Sequence, residues 1–207
     1  PGFSLADTEG NISSLADADY VNYAHQSNLE VWAVIRDFHG GINSYEETYE
    51  VLSHTSKRTQ VINQVIAAAL ETGVDGINLD FELISTECGE HYIQFVRELS
   101  VRCRQNGLVF SVDNYVPQPY NEHYDIEEQG AVADYVVIMG YDEHTEGSYE
   151  AGSVASISYL ENGITDALND VPAEKLIAGI PFFTRLWFET PKTEEELAQE
   201  QGTEAAS

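Results

Sequence analysis

The segment "DGINLDFEL", residues 75–83, decides how this chain folds. Its apolar residues recur at every second position, which is typical of a β-strand with one buried face. The same segment carries Asp75, Asp80 and Glu82, with Asn78 between them. Acidic residues are seldom buried without partners, because removing water from a charge is costly. A buried strand with this many polar side chains therefore indicates a function.

The two-residue period of a strand sorts these side chains. Asn78, Asp80 and Glu82 share one face, and the opposite face presents the apolar set Ile77, Leu79 and Phe81. Asp75 has the parity of the apolar set and stands at the start of the strand. We therefore predict that Asp75 is structural and bonds to the backbone or to neighbouring side chains.

The rest of the chain alternates between two kinds of segment. Runs rich in β-branched and aromatic residues predict strands at 29–38, 74–83, 107–116, 134–142 and 175–183, with residues 1–5 as the possible tail of another. Apolar residues recur at the spacing of an α-helix in 16–27, 56–73, 89–107 and 151–170, which predicts helices there. This alternation predicts parallel βαβ units covered by helices. The Gly-rich motifs of nucleotide-binding folds, GxGxxG and GxxxxGK[ST], do not occur.

Polar residues stand at the carboxyl end of nearly every predicted strand: Arg36 and Asp37, Asp80 and Glu82, Asp113 and Asn114, Tyr141 and Asp142. Functional groups converge at this end of the strands in (β/α)8 barrels. We therefore predict an α/β fold, a (β/α)8 TIM barrel that is incomplete in this chain and comprises about strands 2–7. Residues 1–188 form a partial catalytic barrel domain in this interpretation. Residues 189–207 are the start of an insertion or a flexible acidic tail.

Charge excludes two classes of partner. The chain has 36 acidic and nine basic residues, a formal net charge of −27, which repels nucleic acid and anionic membrane surfaces. No apolar run approaches the roughly 18 residues that span a bilayer. A calcium-binding surface would need Asp/Asn/Gly loops of ligand spacing, and none is found. A solvated acidic surface is the simpler interpretation.

The beginning of the sequence and its two cysteines give little further information about function. The chain begins at Pro1, has Met139 as its single methionine, and shows no basic-then-apolar leader. We therefore expect a piece of a longer protein, with no signal peptide in this chain. Cys88 and Cys103 belong to no CxxC or Cys/His cluster, so zinc is not favoured. They could form one disulfide, but two buried thiols fit better.

Carboxyl groups stacked at a barrel mouth raise the pKa of one another. Such an arrangement keeps one of them protonated near neutral pH, as a general acid requires. The polar face of this strand, the column Asn78, Asp80 and Glu82, could instead bind a metal ion. However, Asn78 carries no charge, and the strand has no histidine. We predict no metal and no cofactor.

The motifs resemble those of one enzyme family. "DGINLDFE" is similar to the strand-four signature DGxDxDxE of family 18 glycoside hydrolases, the chitinases and their relatives, and "MGYD" at 139–142 resembles the family's strand-six motif. Three more segments resemble its bacterial spore-cortex and germination branch: "ADYVNYAHQSNLEVWAV" at 18–34, "EAGSVASISYLENGI" at 150–164 and "LIAGIPFFTRLW" at 176–187. One departure is Asn78, which stands where many chitinases have the middle Asp.

The resemblance implies substrate-assisted hydrolysis of β-linked N-acetylglucosamine (GlcNAc) polymers with retention. It places Glu82 as the catalytic acid, Asp80 as the group that orients the acetamide, and Tyr141 as a donor to the acetamide oxygen. The further residues expected to bind substrate are Asn78, Met139, Asp142, Asn114, Tyr115 and Trp187. Trp187 is equally compatible with plain packing, and Asn114 and Tyr115 with a role in a turn.

The substrate and location follow from the same resemblance. We expect peptidoglycan of the spore cortex or cell wall, or else chitin, and an extracellular, wall-associated or spore-associated bacterial protein. The alternative is a lectin-like relative of chitinases that binds sugar without cleaving it, although such relatives usually replace the acid that Glu82 supplies here. Turnover of a GlcNAc oligomer distinguishes the two functions.

Overall fold

The structure, a computed structural model, describes residues 2–188. The segment 189–207, which we predict to be an insertion or a tail, lies outside the described residues. The strands are β1 Gly2–Leu5, β2 Ile12–Ser14, β3 Trp32–Arg36, β4 Gly76–Asp80, β5 Val109–Tyr115, β6 Tyr135–Met139 and β7 Leu176–Gly179. The helices are α1 Ala18–His25, α2 Tyr45–Leu52, α3 Thr55–Thr72, α4 Gly89–Gln105, α5 Ile126–Val132 and α6 Ile157–Ala167.

These strands form one sheet in the order β2-β1-β3-β4-β5-β6-β7. The pairing of β1 with β2 is antiparallel, and every other pairing is parallel. Within residues 2–188 the sheet is open, with β2 and β7 at its edges, and has six parallel strands where a closed barrel has eight. The prediction of an α/β fold built as a partial TIM barrel is confirmed.

Three short elements are absent from the sequence prediction. They are the hairpin strand β2 and the helices α2 and α5, of eight and seven residues. Helices of two turns show little of the 3.6-residue period that reveals longer ones. Their caps are nevertheless readable in the sequence: Ser44 accepts the amide hydrogen of Glu47, and Asp125 accepts that of Glu128.

The outer face of β4 packs into the core as its period predicts. Ile77, Leu79 and Phe81 are at most 1% exposed. The ring of Phe81 stacks on that of Phe95 in α4, with 5.5 Å between their centroids. The two cysteines, Cys88 and Cys103, are free and buried near the two ends of α4, as expected for structural thiols.

The beginning of β4 is held by its flanking residues. Asp75 accepts the backbone amide of Val31 at 2.7 Å and contacts His25 Nε2 at 2.8 Å, so its predicted structural role is confirmed. On the inner face, a Cβ at Gly76 would lie 2.8 Å from the Trp32 ring and 2.8 Å from the carbonyl oxygen of Val109. The glycine of the "DGINLDFE" motif is therefore required by close packing at the floor of the barrel.

Among residues 2–188, no helix is both long enough and apolar enough to cross a bilayer.

We expect Leu79→Ala to lower the free energy of unfolding by about 2–5 kcal/mol, because it leaves a cavity beneath the helical layer. The matched control is Leu70→Ala in α3, where the side chain is 55% exposed and the change should cost much less. Urea unfolding of the two variants measures the difference. Equal losses would contradict the assignment of Leu79 to the core.

Candidate active site

The inner face of the sheet gathers polar side chains at the carboxyl ends of β3, β4 and β5. Parallel pairing aligns Arg36 with Asp80 and Asn78 with Ser111. Asp113 lies one strand away from Asp80, two residues beyond Ser111 on the same face. The predicted column of β4 is therefore one part of a wider polar cluster.

Asn78 links the column to β5. Its Nδ2 donates to Ser111 Oγ at 2.9 Å and to Asp113 Oδ1 at 2.8 Å. Burial raises the pKa of Asp113 to about 6, against the lowering effect of the Asn78 hydrogen bond, and the charge of Glu82 raises it further. Asp113 is predicted at a strand end but is not among the predicted site residues. Asp113 lies two residues before Tyr115 on the predicted strand, so the two side chains share a face. That spacing could have identified Asp113 as a site residue.

Asp80 occupies the centre of the cluster. Burial raises its pKa to about 7, and the charges of Asp113, Glu82 and Asp37 act in the same direction, while Arg36 opposes them. Its Oδ1 atom is buried and has no hydrogen-bond partner among the described residues. Asp80 therefore titrates near neutral pH rather than near 3.8, and one of its oxygens has no partner among the described residues.

Glu82 follows β4 and is partly buried. The hydroxyl of Tyr115 donates to its Oε2, and the hydroxyl of Tyr124 donates to its backbone oxygen at 3.1 Å. Burial and the bond to Glu82 both raise the pKa of Tyr115, so this phenol remains a donor. The structure thus brings Tyr115 to the carboxyl group of Glu82.

Asp37 anchors the backbone around Glu82. Its carboxylate is fully buried and accepts the amide hydrogens of Glu82 at 2.9 Å and Leu83 at 2.8 Å. The hydroxyl of Thr48 donates to it at 3.3 Å. Burial raises the pKa of Asp37 to about 6 although these hydrogen bonds lower it. Sequence reasoning places Asp37 at a strand end but misses this contact, which joins residues far apart in the chain.

The segment after β6 forms the next wall. Met139 is on the inner face, paired in register with Tyr115 and Gly179. Burial and the charges of Asp113 and Asp80 raise the pKa of Tyr141, which places this phenol close to the carboxyl cluster.

Asp142 follows with a left-handed backbone, φ 61°, and forms an ion pair with Arg185. This pair ties the segment after β6 to the segment after β7. Asp142 therefore follows Tyr141 at this wall, and its carboxylate is already paired with the guanidinium of Arg185.

Two predicted site residues are not brought together with the others. The side chain of Asn114 is 2% exposed and points into the helical layer, where it exchanges hydrogen bonds with Gln129 at 2.6 and 3.0 Å. Its parity, opposite to that of Tyr115, is the reason. The indole nitrogen of Trp187 donates to the carbonyl oxygen of Gly152 at 2.8 Å, which accords with its packing interpretation.

A cavity of about 410 Å³ lies beside the cluster, between the segment after β5 and the end of α6. Tyr115 and Tyr124 line it, but Asn78, Asp80, Glu82, Asp113 and Tyr141 do not. The carboxyl cluster therefore lies outside this cavity. Among the described residues, no group of three or more His, Cys, Asp or Glu side chains could hold a metal ion.

The fold and this cluster define a barrel glycosidase-type protein, with crowded carboxyls at the carboxyl end of β4 beside a tyrosine after β6. The family model described as "Glycosyl hydrolases family 18" matches residues 7–207. The chain belongs to that family. The resemblance drawn from "DGINLDFE" and "MGYD" is thereby confirmed.

Relatives point to the same branch. "Putative sporulation-specific glycosylase YdhD" of Bacillus subtilis (strain 168) is 31% identical over 186 residues, covering 86% of this chain and 43% of that protein. The "Cortical fragment-lytic enzyme" of Bacillus anthracis is 27% identical over 169 residues, covering 78% of this chain and 39% of that enzyme. This chain therefore spans less than half the length of these two relatives.

Solved structures agree in fold. The crystal structure of ydhD from Bacillus subtilis superposes with a TM-score of 0.81 at 30% identity, covering 87% of this chain and 61% of that one. A chitinase from Chromobacterium violaceum superposes with a TM-score of 0.77 at 25% identity, covering 87% of this chain and 59% of the chitinase.

We expect Asp37→Ala to lower the free energy of unfolding by about 2–5 kcal/mol, because two backbone amides near Glu82 lose their acceptor. Thr48→Val is the matched control, since it removes only the third contact and preserves the side-chain shape. Urea unfolding at neutral pH compares them. A loss in Thr48→Val as large as in Asp37→Ala would contradict the anchoring role of Asp37.

The raised pKa of Asp80 makes stability depend on pH. In the folded state the carboxyl keeps its proton up to about pH 7, whereas the unfolded chain releases it near 3.8, so wild-type stability falls as pH rises between these values. Asp80→Asn removes this loss. At roughly 1.4 kcal/mol per pH unit, a pKa raised from 3.8 to about 7 corresponds to about 4 kcal/mol, which solvent screening of this partly buried carboxyl reduces. We therefore expect the free energy of unfolding of the variant to gain about 2–4 kcal/mol on that of wild type between pH 4 and pH 8.

Urea unfolding across that pH range measures this gain. The control is Glu71→Gln, which neutralises an exposed carboxylate on α3 and should follow the wild-type curve. A constant difference between Asp80→Asn and wild type at every pH would contradict a raised pKa at Asp80.

Proposed function

We propose that this chain is the catalytic part of a glycosidase that cleaves β-linked GlcNAc polymers by substrate-assisted hydrolysis with retention. The observation that carries the proposal is the position of Asp80 at the end of β4, where the charges of Asp113 and Glu82 crowd it and its buried Oδ1 has no hydrogen-bond partner among the described residues. Membership of the glycosyl hydrolases family 18 supports the reaction class.

Glu82 begins the reaction as the general acid. Its carboxyl protonates the glycosidic oxygen, and the bond from that oxygen to the anomeric carbon breaks. The carbonyl oxygen of the sugar's own 2-acetamido group attacks the anomeric carbon, forming an oxazolinium ring. Glu82, now ionised, accepts a proton from water as the water opens this ring. The contacts of Glu82 with Tyr115 and Asp37 support this role, because they hold its side chain and backbone in place.

Asp80 and Tyr141 act on the acetamide group. The carboxyl of Asp80 can accept the acetamide N–H, which orients the carbonyl oxygen for attack, and in its ionised form it stabilises the positive charge that develops. Tyr141 keeps its proton because its pKa is raised, so its hydroxyl can donate to the acetamide oxygen. Both interactions require a 2-acetamido sugar at the reacting position. Met139 and Asp142 shape the adjacent wall.

Asn78 has a supporting part in this proposal. Both hydrogen bonds that its Nδ2 donates go to β5, to Ser111 and Asp113, so it holds the neighbouring carboxyl rather than sharing a proton with Asp80. The charge that crowds Asp80 then comes from Asp113 and Glu82. The pKa of Asp80 is therefore raised even though Asn78 replaces the middle Asp that many chitinases have at this position.

The substrate we favour is peptidoglycan of the spore cortex or cell wall, ahead of chitin. The names of the relatives, a sporulation-specific glycosylase and a cortical fragment-lytic enzyme, support this order, while the structural likeness to a chitinase keeps chitin as the second choice. An enzyme acting on such polymers would work outside the cell, on the wall or the spore.

We expect Glu82→Gln to lower the turnover of a chromogenic GlcNAc oligomer by at least about 100-fold, because it removes the proton donor. Glu90→Gln, at an exposed position of α4, is the matched control and should keep full turnover. The experiment uses the full-length protein.

The same assay separates an enzyme from a lectin. If wild type binds the oligomer but does not cleave it, the protein is a sugar-binding relative and the proposed activity is wrong. A second substrate, with a free 2-amino group in place of the acetamide on the reacting sugar, should resist cleavage. Its hydrolysis at the normal rate would refute the substrate-assisted step.

A further inference from the structure

Arg36 places a positive charge at the mouth of the acidic cleft. It is the last residue of β3 and pairs in register with Asp80. Its neighbour Ile35 and the preceding Ala33 are fully buried on the outer face, so Arg36 belongs to the inner face. Its guanidinium carbon lies 5.6 Å from the centroid of the Phe38 ring, within the range of a cation–π contact.

The guanidinium has no hydrogen-bond or ion-pair partner within residues 2–188. The other seven lysines and arginines of this range each contact an oxygen atom of the protein: Lys57, Arg58, Arg97, Arg102, Arg104, Lys175 and Arg185. Arg36 makes no hydrogen bond or ion pair with the described residues, and none of its nitrogen atoms is buried. Among the eight lysines and arginines of this range, Arg36 is therefore the one that contacts no oxygen atom of the protein.

This charge is close enough to act on the reacting groups. Arg36 lowers the pKa of Asp80, against burial and the neighbouring carboxylates, although no ion pair joins the two. The cleft otherwise presents Asp80, Glu82 and Asp113, which would repel an anionic ligand. The planar fork of a guanidinium matches a carboxylate with two parallel hydrogen bonds.

We propose that Arg36 binds a carboxylate carried by the sugar strand beside the reacting GlcNAc, and so selects acidic strands over neutral ones. This inference rests on the proposed function and narrows its substrate to strands that contain N-acetylmuramic acid, as in peptidoglycan, rather than chitin. The carboxylate is that of the 3-O-lactyl group where the strand bears no peptide, or that of an attached stem peptide where it does.

The experiment compares wild type, Arg36→Gln and Arg36→Lys in the full-length protein. The substrates are peptide-free glycan strands, strands that retain stem peptides, and chitin oligomers of equal length. We expect Arg36→Gln to lower the ratio of kcat/KM on an acidic strand to kcat/KM on chitin by roughly tenfold or more, the value of a charge-assisted contact. Arg36→Lys keeps the positive charge but loses the planar guanidinium. Its ratio should lie between the ratios of wild type and Arg36→Gln.

Arg97→Gln is the matched control for net charge. Arg97 pairs with Glu128 on the helical surface, so this variant loses the same charge away from the cleft and should leave the ratio unchanged. A loss confined to peptide-free strands identifies the lactyl carboxylate, and a loss confined to stem-bearing strands identifies the peptide. If Arg36→Gln slows all three substrates equally, Arg36 acts on Asp80 rather than on substrate, and the inference is wrong.

Failure of the proposed activity would leave the carboxylate contact testable by binding. Should wild type cleave none of the three substrates, equilibrium binding of the peptide-free and stem-bearing strands replaces turnover as the readout. Binding to one of them that is about tenfold weaker in Arg36→Gln than in Arg97→Gln supports the carboxylate contact. Equal binding of both strands by the two variants overturns it.

Discussion

The structure depends on one constraint: β4 must bury one face against helices while its other face carries carboxyl groups. Ile77, Leu79 and Phe81 meet the first demand, since they are covered by the helical layer. Asp80 and the following Glu82 meet the second, at the end of the strand where the sheet opens. A shift of one residue in register would exchange the two faces, so the hydrophobic packing of the outer face also aims the carboxyls.

The crowding of carboxyls is costly and is offset in two ways. Some of the charge is removed by protonation, because burial and mutual repulsion raise the pKa values of Asp80 and Asp113 toward neutrality. The rest is offset by hydrogen bonds, from Asn78 to Asp113 and from two backbone amides to Asp37. A cluster balanced in this way holds a proton that it can use, which is the property that the proposed chemistry needs.

The same balance explains the importance of Arg36. Arg36 forms no ion pair with Asp80 among the described residues, yet its charge lowers the pKa of that carboxyl. An enzyme for an acidic polymer must keep its own carboxyl groups and still admit the charge of the substrate. Under the proposed function, the guanidinium of Arg36, which has no ion-pair partner within residues 2–188, would meet that need without neutralising the proton donor.

The alternation of strands and helices, the sidedness of β4, the structural role of Asp75 and the family could all be predicted from the sequence. These properties are local, because the two-residue period and the contiguous motif "DGINLDFE" can be read without knowing what packs against them. The folded chain was needed to show that Asp113 and Asp37 join the site, that Asn114 turns away from it toward Gln129, and that Arg36 has no partner among the described residues. Those outcomes depend on which strands are neighbours and in which register, and contacts between distant parts of the chain leave no periodic trace in its sequence.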